Sequence, residues 1–357
     1  MPFILGALLA LGCGNAVDLG HGRDGQSWSD TAGPEASSST PQTIYDGDLP
    51  IMGFALDGPT LYALVYHAPT FELVSCPLER CGSQRTTLYS SPKMSDDFYQ
   101  DNFAIDTTLV VAGERLFWLN STGLVMCPKT GCTEPQLVSS TGGDDCFAAD
   151  DDTLYWLDRD KAVQRLKSNT DVPEQVHGPM TEILNPDHLV VGGDYLYISD
   201  PGVDVPNIRR VRKDGTGDAE LVVEDTAISG LNAVGDSIYY PSKLLSGRIV
   251  ECAPDDCAKS AVTLAENQRW PMELRVAGNE AIWLTKTRVP DHPSNSSVSS
   301  CRLPYCNPIE IRVADFPLEA FGNDDRYHPH LAVGPESLVW LEARLDQVGS
   351  SLRWSAR

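Results

Sequence analysis

The chain has 357 residues, of which 41% are hydrophobic and 22% are charged, and this composition is typical of a folded protein rather than a disordered one. Its 27 Lys and Arg residues stand against 50 Asp and Glu residues, which gives a formal net charge of −23. Because proteins bind nucleic acid through clustered basic residues and this sequence contains no such run, a nucleic-acid partner is excluded.

The sequence begins with an apolar run at residues 3–11, which is too short to span a bilayer as a helix and is typical of a signal-peptide core. The run ends in Leu11-Gly12-Cys13, and this segment resembles the lipobox of bacterial lipoproteins, in which a Cys is diacylated and becomes the mature N-terminus. The resemblance implies a signal peptide at residues 1–12, lipidation of Cys13 and attachment to a lipid bilayer. A cleaved secretory signal and a buried apolar strand are the alternatives.

Residues 14–40 are rich in Gly, Asn, Asp, Ser, Thr and Pro and have almost no aliphatic side chains, as in a flexible linker. We therefore predict that residues 13–40 form a lipidated tether. The tether would hold a folded domain, residues 41–357, at the bacterial cell envelope, and the membrane and leaflet stay open. No later segment of the sequence is apolar enough to be a transmembrane helix.

A short apolar and aromatic segment recurs seven times after the tether, at spacings of 55, 38, 42, 42, 43 and 57 residues. The copies are Leu61–Leu64, Leu116–Leu119, Leu154–Leu157, Leu196–Ser199, Ile238–Pro241, Ala281–Leu284 and Leu338–Leu341. A period near 42 residues suits one four-stranded blade of a β-propeller. Short strands punctuated by Gly, Pro, Asn and Asp surround each copy, so the sequence predicts an all-β chain of antiparallel hairpins.

The last repeat ends after its third strand, which we place at Ser351–Trp354. A segment of the fourth-strand kind, Pro41–Tyr45, stands alone before the first repeat. Because an unpaired sheet edge promotes association, we expect this N-terminal strand to complete the last blade. The prediction is a seven-bladed β-propeller closed by its N-terminal strand, with six blades as the alternative.

The repeats resemble those of the NHL and YWTD propeller families. Asn185–Val191 and His328–Val333 carry a Pro before the first strand of their repeats, and Leu154–Asp158 comes nearest to the YWTD sequence. The resemblance covers about 300 residues and implies a fold without implying an activity.

Eight of the ten cysteines form four pairs at one spacing, each between the third and fourth strands of its repeat. The pairs are Cys76/Cys81, Cys127/Cys132, Cys252/Cys257 and Cys301/Cys306. Because cysteines facing each other across a hairpin come within bonding distance, we predict four local disulfides, with zinc sites as the alternative. Disulfides agree with export to an oxidising compartment. Cys146 is left without a partner, and its simplest interpretation is a small buried apolar residue.

The residue just before the first strand of each repeat is expected at the mouth of the central channel. These positions hold Gly53, Thr108, Cys146, His188, Gly230, Glu273 and His330. Imidazole, carboxylate and thiolate groups bind zinc and related ions, so four of these residues form a candidate site for one divalent metal in the channel. The four are His188, Glu273, His330 and Cys146. A polar, water-filled channel and hydrogen bonding to neighbouring loops are the alternatives.

Three consecutive acidic residues, Asp150, Asp151 and Asp152, lie between the first and second strands of their repeat. Asp favours turn geometry, so we predict a solvated turn, with a calcium site as the alternative.

The sequence contains no G-x-S-x-G, P-loop, H-E-x-x-H or C-x-x-C motif, so no catalytic chemistry is indicated. We therefore predict a non-catalytic, envelope-anchored binding scaffold for a protein or glycan partner, without a cofactor. The alternative is a metal-dependent propeller hydrolase or lactonase with its ligands at the channel mouth.

Overall fold

A computed structural model describes the protein at residues 17–18, 42–47, 51–67, 70–91, 108–120, 122–140, 142–201, 205–225, 228–242, 246–287, 294–306, 309–318, 331–334, 337–343 and 350–356. Within these ranges the chain is almost entirely β-structure, which confirms the all-β prediction. The helical segments described are short and lie next to paired cysteines. They are two 3-10 turns, Leu78–Arg80 and Pro254–Asp256, and one α-helix, α1 (Cys257–Ser260).

The described strands form seven sheets, numbered here as blades 1 to 7 in chain order, and their pairing is antiparallel except between β1 and β11. Two strands precede them, β1 (Val17–Asp18) and β2 (Gln42–Gly47). Blade 1 comprises β3 (Ile51–Asp57), β4 (Thr60–His67), β5 (Thr70–Pro77) and β6 (Thr86–Ser90). Blade 2 comprises β7 (Val110–Ala112), β8 (Arg115–Asn120), β9 (Gly123–Pro128) and β10 (Gln136–Ser139). Blade 3 comprises β11 (Gly142–Asp150), β12 (Thr153–Asp158), β13 (Val163–Lys167) and β14 (Glu174–His177).

Blade 4 comprises β15 (His188–Gly192), β16 (Tyr195–Asp200), β17 (Asn207–Arg212) and β18 (Glu220–Glu224). Blade 5 comprises β19 (Asn232–Val234), β20 (Ser237–Ser242), β21 (Gly247–Cys252) and β22 (Val262–Gln268). Blade 6 comprises β23 (Pro271–Ala277), β24 (Glu280–Thr287), β25 (Ser294–Arg302) and β26 (Glu310–Leu318). Blade 7 comprises β27 (Leu331–Val333), β28 (Ser337–Ala343) and β29 (Ser350–Ala356), together with β2. The described strands thus make seven sheets.

The first strands of the seven blades surround a common centre. In cyclic order, β3 contacts β7, followed by β11, β15, β19, β23 and β27, and β27 contacts β3 again. The described side chains of these innermost strands are mostly buried, because neighbouring blades cover both of their faces. The fourth strands, such as β14 and β18, consist mostly of exposed and half-buried residues, as expected at an outer rim. The arrangement is that of a β-propeller, as predicted.

The hydrophobic core lies between the blades rather than at one centre. In the part of the chain described, each of seven apolar clusters joins two successive blades, and one of them joins blade 7 to blade 1. Four copies of the repeated segment place a fully buried tryptophan in their second strand: Trp118, Trp156, Trp283 and Trp340. The aromatic residues that revealed the repeat are therefore the residues that fill the interfaces between blades.

The N-terminal strand closes the ring. Strand β2 pairs antiparallel with β29, so the fourth strand of blade 7 comes from the other end of the chain. Thr43 lies opposite Arg353, whose guanidinium donates a hydrogen bond to the Thr43 hydroxyl. Ile44 is buried in the cluster that also contains Ile51 of blade 1 and Val339 of blade 7. The observed pairing matches the closure predicted from Pro41–Tyr45.

The four predicted disulfides are confirmed, with Cα–Cα distances between 4.7 and 5.7 Å. They are Cys76–Cys81 in blade 1, Cys127–Cys132 in blade 2, Cys252–Cys257 in blade 5 and Cys301–Cys306 in blade 6. Their sulfurs are oxidised, so these residues do not supply the thiolates that the zinc alternative requires.

The positions of the paired cysteines correct one detail of the prediction, which placed both members of each pair between two strands. The first member lies within the third strand of its blade, at Cys76, Cys127, Cys252 and Cys301. The second member lies in the connection to the fourth strand: Cys81 follows the 3-10 turn Leu78–Arg80, Cys257 begins α1, and Cys132 and Cys306 lie in irregular turns.

The two cysteines of a pair therefore do not face each other across two strands. The residues between the two cysteines form a tight turn, and this turn brings the sulfur of the second cysteine back to the end of the third strand. Cys81 is buried, and Cys132 and Cys306 are partly buried against apolar clusters between blades. Each disulfide thus fixes the turn onto the blade it leaves.

The same end of the molecule carries the turns between first and second strands, and ion pairs there connect successive blades. Lys129 of blade 2 pairs with Asp57 of blade 1, and Lys213 of blade 4 pairs with Asp150 of blade 3. The outer parts of neighbouring blades are in this way joined by charge as well as by apolar packing.

Part of the predicted tether is paired with the propeller. Val17 and Asp18, which form β1, align parallel with Ala149 and Asp150 at the inner edge of β11. The predicted signal peptide, Cys13 and the rest of the predicted tether lie outside the described residues. No helix in the described part of the chain is long and apolar enough to cross a membrane.

The buried tyrosines of the second strands make stability sensitive to high pH. Burial raises the pKa of Tyr239 to about 12. The hydrogen bond that its hydroxyl donates to Glu251 Oε1, at 2.9 Å, also raises this pKa. Burial likewise raises the pKa of Tyr155 and Tyr240 to about 12. A tyrosine of the unfolded chain ionises near pH 10, so between about pH 10 and 12 proton loss favours the unfolded state.

We therefore expect the urea midpoint, followed by tryptophan fluorescence, to fall as pH rises from about 10 to 12. Tyr239→Phe should make this fall shallower, because one of the shifted hydroxyls is removed. The matched control is Tyr305→Phe, since the Tyr305 ring is exposed in a turn, and it should leave the pH profile unchanged. Equal profiles for all three proteins would contradict this account.

Candidate binding site at the channel mouth

The predicted mouth residues lie at or near the start of successive innermost strands. Gly53 lies in β3, Thr108 precedes β7, Cys146 lies in β11, His188 begins β15, Gly230 precedes β19 and Glu273 lies in β23. His330 lies outside the described residues. Since β15 and β23 are separated by blade 5, His188 and Glu273 are not on adjacent blades. Gly230 of blade 5 does approach Glu273, because a Cβ placed on it would lie 3.5 Å from the Glu273 amide nitrogen.

His188 is buried and held by its own blade. Its Nδ1 lies 3.0 Å from Asp187 Oδ2 and 3.3 Å from the hydroxyl of Ser199, which is opposite His188 on β16. These contacts occupy Nδ1, so Nε2 is the ring nitrogen that remains for any ligand. The geometry agrees with the alternative in which this histidine is hydrogen bonded to neighbouring protein groups.

Glu273 is also buried, and it forms an ion pair with a residue on its own strand. Arg275 Nη2 donates to Glu273 Oε1 at 2.9 Å. Burial lowers the pKa of Arg275 below its ordinary value, and the carboxylate of Glu273 opposes that shift. The second carboxylate oxygen, Oε2, is buried and has no hydrogen-bond partner among the described residues. Because a guanidinium already balances its charge, Glu273 is a weaker candidate ligand for a cation than the sequence suggested.

A β-bulge places Glu273 in this position. The pairing between β23 and β24 shifts register between Met272 and Leu274, and the backbone φ angle of Glu273 is +26°. A bulge turns one side chain away from the regular alternation of the strand, and positive φ is uncommon for residues other than glycine. Local backbone geometry, rather than the sequence pattern alone, therefore sets the direction of this carboxylate.

Cys146 is buried, as predicted, but it is not unpaired. Its sulfur is part of a disulfide, which corrects the prediction that it has no partner. A disulfide sulfur is not a thiolate, so Cys146 cannot serve as the thiolate ligand proposed for the metal site. Within the described residues, no group of three or more His, Cys, Asp and Glu side chains is arranged to hold a metal ion.

The acidic turn of blade 3 is engaged with protein donors. Asp150 pairs with Lys213 of blade 4, and Asp152 accepts hydrogen bonds from the hydroxyls of Thr153 and Ser168. Asp151 has a φ angle of +37°, as turn residues often do. These contacts fit the predicted turn, and Asp150 in addition links two blades.

A second site, which the sequence analysis did not predict, lies at the end of blade 4 that also holds His188, opposite the end that carries Lys213. Asp200 ends β16 and is completely buried, and its carboxylate accepts hydrogen bonds from the amides of Leu184 at 2.7 Å and Asn185 at 3.2 Å. The Leu184 side chain is nevertheless 64% exposed. A buried carboxylate thus fixes the loop that enters blade 4 and presents an apolar side chain to solvent.

The loop between β16 and β17 reaches the same end of the blade. Asp200 lies opposite Asn207 in this hairpin, and Asn207 Nδ2 donates to the carbonyl of Val205. The Val205 side chain is 51% exposed. We call the exposed side chains of Leu184 and Val205, which both lie at this end of blade 4, the blade 4 loop face.

The sequence did contain a signal for this arrangement. A polar residue follows the repeated aromatic segment in several copies, including Asn120, Asp158 and Asp200. Asn120 Oδ1 accepts a hydrogen bond from the amide of Thr122, and Asp158 Oδ1 accepts hydrogen bonds from the amides of Asp160 and Ala162. These residues therefore also organise the loops that follow their strands. Comparing that position across the repeats would have singled out Asp200.

Comparisons with known proteins give the fold. No family model matches the sequence, and no curated protein matches it. An oligogalacturonate lyase in complex with manganese superposes with a TM-score of 0.61 at 13% identity, over 88% of this chain and 92% of that chain. An oligogalacturonate lyase from Vibrio parahaemolyticus superposes with a TM-score of 0.61 at 12% identity, over 88% of this chain and 93% of that chain. The WD40 β-propeller domain of Doa1 superposes with a TM-score of 0.55 at 10% identity, over 88% of this chain and 95% of that chain.

These similar structures include a metal-bound enzyme and a WD40 domain, and sequence identities this low establish the propeller fold alone. Function must therefore be argued from the residues of this chain.

We expect Arg275→Met to lower the free energy of unfolding by about 3–5 kcal/mol, because it leaves the Glu273 carboxylate buried without its counter-charge. Adding Glu273→Gln to this variant should restore part of the loss, since the unpaired charge is removed. The control is Arg85→Met: Arg85 lies 3.8 Å from Glu72 in a more exposed pair, and its loss should cost less than about 1 kcal/mol. Urea unfolding measures all three variants, and equal stability of Arg275→Met and the native chain would refute the structural role of the pair.

Proposed function

We propose that this protein is a non-catalytic β-propeller scaffold that binds a protein partner through the blade 4 loop face. The observation that carries the proposal is the contrast between the channel mouth and this face. His188, Glu273 and Cys146 at the channel mouth each contact or bond another protein group, whereas Leu184 and Val205 are exposed on loops that buried polar residues hold in place.

The engagement of the mouth residues favours binding over metal-dependent hydrolysis. Nδ1 of His188 contacts Asp187 and Ser199, Glu273 is paired with Arg275, and Cys146 is oxidised. A catalytic metal needs several ligands and an open coordination position. These contacts leave Nε2 of His188 and Oε2 of Glu273, on blades that are not adjacent, as the atoms that could bind an ion, and the oxidised Cys146 supplies no thiolate.

The blade 4 loop face has the properties of a contact surface between proteins. Buried hydrogen bonds fix the loop before any partner arrives, so binding would not have to order it at an entropic cost. A partner that covers the exposed side chains of Leu184 and Val205 would remove their apolar surface from water, and this burial stabilises the contact.

Charge further defines the partner. The net charge of −23 favours approach by a protein with a basic surface, because long-range attraction speeds association. We propose that the encounter takes place in an oxidising compartment outside the cytoplasm, where the four local disulfides are stable.

The test compares the native full chain with two variants of equal charge. Immobilised native chain is used to capture proteins from an extract of the cell envelope, and the purified captured protein is then titrated by calorimetry. The variant Leu184→Asp/Val205→Asp should weaken its affinity at least tenfold, because two apolar anchors become charged. The matched control, Leu221→Asp/Leu137→Asp, places the same charges on exposed leucines of outer strands and should bind within twofold of the native chain.

Equal affinity of both variants, or capture of no protein, would overturn the proposal. A captured glycan in place of a protein would overturn it as well. The metal-dependent alternative makes a different prediction: the purified chain would contain about one divalent ion, and His188→Ala would release it.

A further inference from the structure

The turns that carry the disulfides reach the outermost strand of the preceding blade. In blade 2, the amide of Cys132 donates a hydrogen bond to the carbonyl of Leu88 on β6 of blade 1, at 3.0 Å. In blade 5, α1 and the 3-10 turn before it contact β18 of blade 4. In blade 6, Cys306 packs in one cluster with Leu264 of β22 in blade 5. These disulfides therefore fix turns that hold a neighbouring blade.

For blade 1, the outermost strand of the preceding blade is β2, the strand that closes the ring. Ile44 of β2 is buried in one cluster with Leu78 and Cys81 of the blade 1 turn. A Cβ placed on Gly82 of this turn would lie 3.5 Å from the carbonyl oxygen of Ile44, so the turn backbone lies directly beside the strand. Strand β2 is thus held from two sides, by β29 in its own sheet and by the turn of blade 1.

Two links hold this turn to the rest of blade 1. At its start, the amide of Leu78 donates a hydrogen bond to the carbonyl of Pro59, at 2.8 Å. At its end, the disulfide joins Cys81 to Cys76 in β5. Removing the disulfide therefore removes the covalent link at the end of the turn that adjoins Gly82, where the turn lies beside β2.

From these contacts we propose that the blade 1 turn, locked by the Cys76–Cys81 disulfide, is the clasp that holds the closing strand in the ring. The blade 2 turn holds β6, which follows β5 in the same blade, so release of β6 leaves the ring closed. Strand β2 differs from β6 because it is joined to blade 7 by pairing with β29 and not by a hairpin connection. Of these two disulfides, Cys76–Cys81 is the one that supports ring closure.

Release of β2 is expected to open the whole ring. The cluster that contains Ile44 and Leu78 also contains Val339 of blade 7, so it is the apolar contact between the last blade and the first. A blade that loses this cover exposes an apolar face to water. Amides of β2 and of its sheet neighbour β28 should therefore become exchangeable in one event, and weakening the clasp should speed both.

Hydrogen exchange in two disulfide variants of the full chain tests the clasp. Cys76→Ala/Cys81→Ala and the control Cys127→Ala/Cys132→Ala each remove a bond between cysteines five positions apart, so the two changes free the unfolded chain equally. The first variant should speed exchange of the β2 and β28 amides at least about tenfold more than the control does, because it loosens the closing strand. Equal rates in the two variants would overturn the proposal, as would native protection of β2 in the first.

Two leucine variants keep the test decisive if a disulfide variant does not fold, because they leave every disulfide in place. Leu78→Ala removes a side chain that packs against β2, and the control Leu88→Ala removes a similarly buried leucine from β6. Leu78→Ala should speed exchange of the β2 and β28 amides at least about fivefold more than Leu88→Ala does. Equal effects would contradict the clasp. These measurements do not involve partner binding, so their failure would leave the proposed function standing.

Discussion

Each blade of this protein has two apolar faces, and this is the constraint from which its architecture follows. A sheet covered on one side only would expose a large hydrophobic surface, so each blade must lie between two neighbours. The seven described clusters meet this need in turn, and the cluster that contains Ile44, Ile51 and Val339 joins the last blade to the first. The ring is therefore stable only when it is closed, and closure depends on strand β2 at the open edge of β29.

The same packing explains the chemistry of the channel mouth. Innermost strands are buried, so any polar side chain on them needs a partner close by. Glu273 finds Arg275 two residues away on its own strand, and His188 finds Asp187 and Ser199. The polar ring that resembles a metal site is in this way largely committed to maintaining the fold. Leu184 and Val205 lie on loops instead of innermost strands, and their side chains are exposed.

Much of the fold could be predicted because its signals are local and repeated. The aromatic segments recur at a regular spacing, the disulfides join cysteines five positions apart, and the missing last strand has a visible counterpart at Pro41–Tyr45. The site was harder to predict because its contacts depend on geometry that the spacing does not encode. The bulge at Glu273 changes the direction of one carboxylate, and Asp200 binds amides fifteen and sixteen positions earlier in the chain. The disulfide of Cys146 joins it to a residue outside its own repeat, so no repeat comparison reveals it.

Hydrogen exchange of the backbone amides in β2 tests ring closure most directly. If β2 is the fourth strand of blade 7, the amides of residues 42–47 that donate to β29 should exchange only when the whole propeller unfolds, as slowly as those of β28. Exchange of all of these amides at the rate of an unstructured peptide, while β28 stays protected, would show that the ring is held without its N-terminal strand and would contradict the account.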